Sequence, residues 1–106
     1  MLYKIKEKLF LSDLESAHNL NLIKKHDIKL VIRLSEDDED PSPYDANVKF
    51  IQYEIEDWWI HKKEIIDVAK KINEMINSFD DNVLIHCNKG QSRSVSVILY
   101  HLMKNG

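Results

Sequence analysis

The chain reads as an α/β domain, with a largely parallel central sheet flanked by helices and residues 1–106 forming one unit. Three observations predict this. Two short, nearly continuous apolar runs, LVIRL at Leu30–Leu34 and VLIH at Val83–His86, suit strands buried on both faces. The stretch His61–Ser78 has apolar residues at helical spacing with charges opposite, and that spacing returns over Ser92–Lys104. Strands alternating with helices point to a parallel sheet. A chain of 106 residues has room for one compact core and no second.

In order, Lys8–Leu11 reads as a short strand, and Ser12-Asp13 offers an N-cap for a helix beginning directly after it. Leu14, Ala17, Leu20, Leu22 and Ile23, up to about His26, suit one or two short helices. After the strand at Leu30–Leu34, Ser35–Asn47 breaks the pattern with the acidic run EDDED and then PSP, a solvated surface loop. Val48–Ile55 alternates well enough to be a strand. In the long helix, positions 65, 69, 72, 76 and 79 make the apolar stripe, widened by Ile66, Val68 and Met75. In the last helix, Val95, Ile98, Leu99 and Leu102 make one apolar face, while Val97, Tyr100 and Met103 lie around the rest of the cylinder.

Bulk composition removes several function classes. A net charge of -3 disfavours a general nucleic-acid binder, which carries a basic stripe. No apolar run approaches the ~18 residues of a membrane span. MLYKIKEKLF lacks the apolar region and cleavage site of a secretory signal, so a soluble, cytoplasmic protein is expected. The single cysteine, Cys87, permits no intrachain disulfide and no multi-thiolate metal site. The other histidines, at 18, 26, 61 and 101, show no metal-ligand spacing, so neither metal nor cofactor is expected.

The chemistry concentrates at VLIH-CNKGQ-SRSVSVILY, a strand, a loop and a helix. Ligands of open α/β sheets bind at the carboxyl ends of strands, where the next helix begins. A helix N-terminus has unpaired amides and the positive end of the dipole, and favours an anion. Gly90 lets the loop fold tightly enough to aim the amides of Asn88, Lys89, Gly90, Gln91 and Ser92 at one point. Arg93 can grip two oxygens of a tetrahedral dianion with its planar fork. The same field favours the thiolate of Cys87, the nucleophilic form. One device both binds phosphate and activates the attacking atom.

HCNKGQSRS, residues 86–94, resembles the active-site loop of protein tyrosine phosphatases: His-Cys, five residues, then Arg-Ser or Arg-Thr. The glycine third of the five and the Ser-Arg-Ser ending look most like the dual-specificity branch. Chance agreement at these fixed positions lies well below ~10⁻⁴. The opening YKIKEKLFLSDLESAHNLNLIKKHDIKLVIRL also looks like that branch, and IQYEIEDWW resembles the strand leading to its general-acid aspartate.

The resemblance implies a role for each matching residue. Cys87 attacks phosphorus, Arg93 holds the phosphoryl group, and Asp57 protonates the leaving oxygen, with Glu56 in reserve. Ser94 hydrogen-bonds the departing sulfur in the second step, and His86 orders the loop and tunes the thiol. Plain structural roles stand beside these, an N-cap or solvated carboxylate for Asp57 and a first-turn serine for Ser94. Trp58, Trp59 and His61 border the cleft or pack in the core. The implied function is hydrolysis of phosphotyrosine and phosphoserine/threonine in proteins through a cysteinyl-phosphate, without metal. Inositol lipids are less favoured, since relatives acting on them carry more basic loops. The alternatives are a phosphatase-like module that binds phosphorylated partners without turnover, or an RNA 5′-phosphatase.

Members of the branch normally continue well past the active-site helix, whereas this chain stops at Asn105-Gly106, a shortened C-terminus. A helix apolar nearly all round expects cover on several sides. The Val97/Tyr100 side is therefore expected to meet a second copy or a partner protein, unless other elements of the domain bury it. The lone thiolate also has no second cysteine to trap its sulfenic acid, so peroxide inactivation is expected, with rescue by external thiols or a backbone sulfenamide.

Overall fold

The sheet has five strands in the order β1-β2-β5-β3-β4 in the computed structural model of the chain, which describes residues 1–35, 44, 46–54, 62–87 and 92–105. In chain order the elements are β1 (Leu2–Lys6), β2 (Leu9–Ser12), α1 (Leu14–Ala17), α2 (Leu20–Lys25), β3 (Ile28–Ser35), β4 (Lys49–Glu54), α3 (Lys62–Ser78), β5 (Asn82–Cys87) and α4 (Ser92–Asn105). Among these strands only β1 runs antiparallel to its neighbour, so the sheet is largely parallel, as the alternation of strands and helices predicts.

β1 is an addition to the sequence reading. Its two lysines and exposed Tyr3 hide the pattern, because an edge strand needs little apolar surface and charge there discourages further pairing. The β1–β2 turn is tight and places Lys8 in the left-handed region, φ 70. Asp13 is the N-cap of α1, its carboxylate accepting from the Ser16 amide at 2.8 Å. Asn19 restarts the helix as α2 by accepting from the amides of Asn21 and Leu22. Two short helices result, joined by His18.

Strand periodicity divides the core in two. On the front face, Ile32, Leu34, Val83 and Ile85 pack with Ala69 and Ile72 of α3 and with Val97 and Ile98 of α4. On the back face, Phe10, Val31 and Leu84 pack with Ala17 and Ile23 of α1 and α2. Each fully buried side chain of this size stabilises the fold by about 1.5–3 kcal/mol.

Of the stripe expected on α3, Ala69 and Ile72 are buried and Ile76 and Phe79 half-buried, whereas Ile66 faces solvent; the side chain at position 65 lies outside the described part. The face expected on α4 needs correction. The buried side is Ser94, Val97, Ile98 and His101, and Val97 is only 1% exposed. Tyr100 packs against the front core, while Val95, Leu99 and Met103 are exposed. The domain itself therefore covers the Val97/Tyr100 side, and the reason given for a partner there falls away. Apolar count misled because two polar residues, Ser94 and His101, occupy buried positions on the helix.

His101 explains part of this rotation. Its Nδ1 and the Asn73 Oδ1 lie 2.7 Å apart, and the Asn105 amide donates to the same Oδ1. Asn77 donates to Asn105 at 3.1 Å. This polar clasp ties α4 to α3, and burial holds the His101 imidazole below its ordinary pKa, with Lys6 adding to the effect.

Candidate active site

β5 ends at Cys87, and α4 begins at Ser92, five positions later. Val83, Ile85 and Cys87 point to the front face and Leu84 and His86 to the back, by strand alternation. Cys87 is 4% exposed and belongs to the front cluster with Ala69, Ile72 and Val97. Ser94, in the first turn of α4, is fully buried, and its Oγ lies 3.4 Å from the Cys87 Sγ. The long buried strand and the docked helix thus bring together a thiol and a hydroxyl seven residues apart.

The N-terminus of α4, with its free amides and dipole, stands at the same end of the sheet as the carboxyl ends of the parallel strands. Ser92 and Arg93 are its first two residues. The side chains of Ser92 and Arg93 lie outside the described part, as do Asn88, Lys89, Gly90 and Gln91 of the loop and Asp57, with its neighbours Glu56, Trp58, Trp59 and His61.

A second layer of polar groups lies on the back face at the level of His86. Ser12, His86 and Arg33 are paired in register across β2, β5 and β3, and Gln52 of β4 extends the row. Below it the next in-register row on that face is apolar: Phe10, Leu84, Val31 and Phe50. Arg33 and His86 are both 0% exposed. The Arg33 Nη2 donates to His18 Nε2 at 2.9 Å, which makes that nitrogen the unprotonated one. The guanidinium carbon stands 4.9 Å over the Phe50 ring, a cation–π contact. Tyr44 packs its ring on Phe50 and donates its hydroxyl to the Ala17 carbonyl at 2.5 Å. Burial pushes the Tyr44 phenol up to about 12, against the opposing pull of Arg33.

His86 itself is driven down to about 3, by burial first, then by Arg33 and His18; the Cys87 backbone and Asp13 oppose this. Both ring nitrogens are buried without a hydrogen-bond partner among the described residues. Burial and the neighbouring charges thus favour the neutral imidazole. Of the sequence-predicted residues, Cys87, Ser94 and His86 are thus placed, the first two together and the third on the opposite face. Sequence reading passed over Arg33, although an arginine inside an otherwise apolar double-faced run, LVIRL, is a signal that a buried charge is present.

Beside the site, at the carboxyl end of β2, a cavity of about 270 Å³ is lined by Met1, Tyr3, Leu11, Ser12 and Asp13. Asp13 is held down to about 2 by its hydrogen bond with the Met1 ammonium, 2.8 Å away, and then by the Ser16 amide. Among the described residues there is no cluster of three or more metal-ligating side chains, and no helix is long and apolar enough to cross a membrane.

Dual specificity protein phosphatase 1 of Arabidopsis thaliana is 24% identical over 106 residues, covering 94% of this chain and 50% of that protein. Dual specificity protein phosphatase Mpk3 of Drosophila melanogaster is 31% identical over 96 residues, covering 90% of this chain and 23% of that protein. The chain therefore spans half or less of the curated relatives it matches. The crystal structure of DUSP15 shares the fold with a TM-score of 0.79 at 21% identity, over 96% of this chain and 64% of that one. The catalytic-domain family of dual specificity phosphatases matches residues 9–106, from β2 through α4 and across the Cys87 site, and the chain belongs to that family.

Proposed function

We propose that the protein is a phosphomonoester hydrolase that removes phosphate from phosphotyrosine and phosphoserine/threonine in proteins. The observation that carries the reading is the buried pairing of Cys87 Sγ and Ser94 Oγ at the mouth of a helix N-terminus, within the sequence HCNKGQSRS. Family membership supports protein phosphatase activity, and both curated relatives are named dual specificity protein phosphatases.

In the first step the Cys87 thiolate attacks phosphorus in line with the leaving oxygen, and the S–P bond forms as the P–O bond breaks. Arg93 and the amides of 88–92 hold the equatorial oxygens, since phosphoryl transfer is mainly positioning and charge stabilisation. Asp57 delivers its proton to the leaving oxygen, which departs poorly as an alkoxide. In the second step Asp57, now a carboxylate, takes a proton from water, and water displaces the sulfur. The Ser94 hydroxyl donates to the sulfur as negative charge returns to it. The neutral His86 on the far side of β5 touches no substrate.

Turnover of p-nitrophenyl phosphate with EDTA present tests the reading. Wild type turns it over, and Cys87→Ser lowers kcat by at least ~10³-fold. Phosphopeptide binding by a wild type without turnover would assign the chain to the non-catalytic alternative. Asp57→Asn lowers kcat on alkyl phosphates by about 10²–10⁴-fold and on activated aryl phosphates far less. Equal loss on both moves the acid to another group, Glu56 first.

A further inference from the structure

His86 and Arg33 are paired in register on adjacent parallel strands, and neither has exposed surface. Buried ring nitrogens usually find a partner, so an imidazole with two nitrogens unpartnered among the described residues, in the row beside the nucleophile, calls for a reason. The described groups on its face are few. Arg33 comes from β3, Ser12 from β2, His18 from the α1–α2 junction and Asp13 from the N-cap of α1, while Cys87 on its own strand points the other way. Arg33 is a cation at every pH. Its place is fixed by β3, by the hydrogen bond to His18 and by the Phe50 ring. His18 acts on the imidazole in the same direction as Arg33. Asp13, the acidic group here, is already engaged by the Ser16 amide and the Met1 ammonium.

We propose that Arg33 is a positioning residue for the Cys87 site: paired in register with His86 behind the nucleophile's strand, its permanent charge adds to burial in keeping the imidazole neutral. The proposal rests on the phosphatase reading for its catalytic meaning. A histidine next to a nucleophile would ordinarily change charge between pH 5 and 8. Here that change is prevented. The cation near the end of β5 is one that does not titrate, and the ring keeps one donor and one acceptor while Asp57 must be protonated and Cys87 anionic.

Histidine NMR on the free protein from pH 4.5 to 8 tests this, with the His86 signal assigned through His86→Gln. In wild type His86 stays neutral over the whole range. In Arg33→Met its protonated-to-neutral ratio at pH 4.5 rises about tenfold, a shift of about one unit, and Arg33→Lys restores the wild-type ratio. Arg33→Gln gives the same reading should the methionine variant not fold. A wild-type midpoint above about pH 5, or an unchanged ratio in a folded Arg33→Met or Arg33→Gln protein, overturns the proposal. No substrate is present, so a protein without turnover still gives this result, and a true phosphatase with a titrating His86 loses only this inference.

Discussion

Two neighbouring residues of β5 occupy opposite surroundings. Cys87 enters the front core among Ala69, Ile72 and Val97, with the Ser94 hydroxyl at its sulfur. His86 enters the back layer, beside a buried guanidinium and under α1. The front holds the sulfur in a mostly apolar setting, and the back holds a buried charge. Two adjacent letters of one motif thus belong to separate compartments, divided by the sheet. His86 and Cys87 therefore respond to different mutations.

The sharpest way to break the comparison is to put charge into the front. Val97→Asp leaves an unpaired carboxylate in the packed core and is expected to cost more than ~4 kcal/mol, enough to unfold the domain, as circular dichroism would show. Retained native structure would mean that the front face is open to water.

The back face should answer to pH. His86 has a folded pKa of about 3, below its ordinary 6.5. The unfolded chain therefore binds the proton first, and stability complete above pH 6.5 falls as pH drops from 6.5 toward 3. The slope from this group is about 1.4 kcal/mol per unit at most. Urea midpoints at pH 7, 5.5 and 4.5 measure it, and His86→Gln flattens that part of the curve. Asp13, held down to about 2, adds a loss between about pH 4 and 2.

Smaller effects sharpen the picture of the front. Ser94→Ala removes one hydrogen bond to sulfur, worth about 1 kcal/mol, and should slow dephosphorylation of the cysteinyl-phosphate about 5- to 10-fold with a smaller change in its formation. Rapid-quench measurement separates the two steps; equal slowing of both would deny Ser94 its leaving-group role. Smallest of all, Leu99→Glu on the 53% exposed side of α4 should change stability by no more than ~0.5 kcal/mol. A loss as large as that of Val97→Asp would restore the sequence-predicted apolar face.

Much of the fold is legible in the sequence because burial writes itself as period. The double-sided strands, the Asp13 cap and the α3 stripe at Ala69, Ile72, Ile76 and Phe79 each follow from local residue choice and are found. The α4 face is misread because Ser94 and His101 are buried for hydrogen bonding, which apolar periodicity does not register. β1 escapes the same reading because an edge strand owes its place to pairing with β2. At the site, the loop motif names Cys87 and Ser94 directly, and the two are found side by side. Arg33 stays unnoticed because its importance depends on which residue lies one strand away, and register is a long-range property. Its neighbour His86 belongs to a strand far along the chain, beyond β4 and α3.

Register carries one more consequence. Asn82, the first residue of β5, donates its side-chain amide to the carbonyl of His26 at 2.8 Å and to that of Asp27 at 3.3 Å. Asp27 can offer that carbonyl because it adopts the left-handed conformation, φ 53, at the turn into β3. A strand that slips by a single residue turns every side chain to the other face. In β5 such a slip would carry the sulfur to the rear of the sheet and the imidazole to its front. An asparagine at the far end of the strand is therefore placed as an index pin for the proposed nucleophile, guarding its orientation without ever touching it.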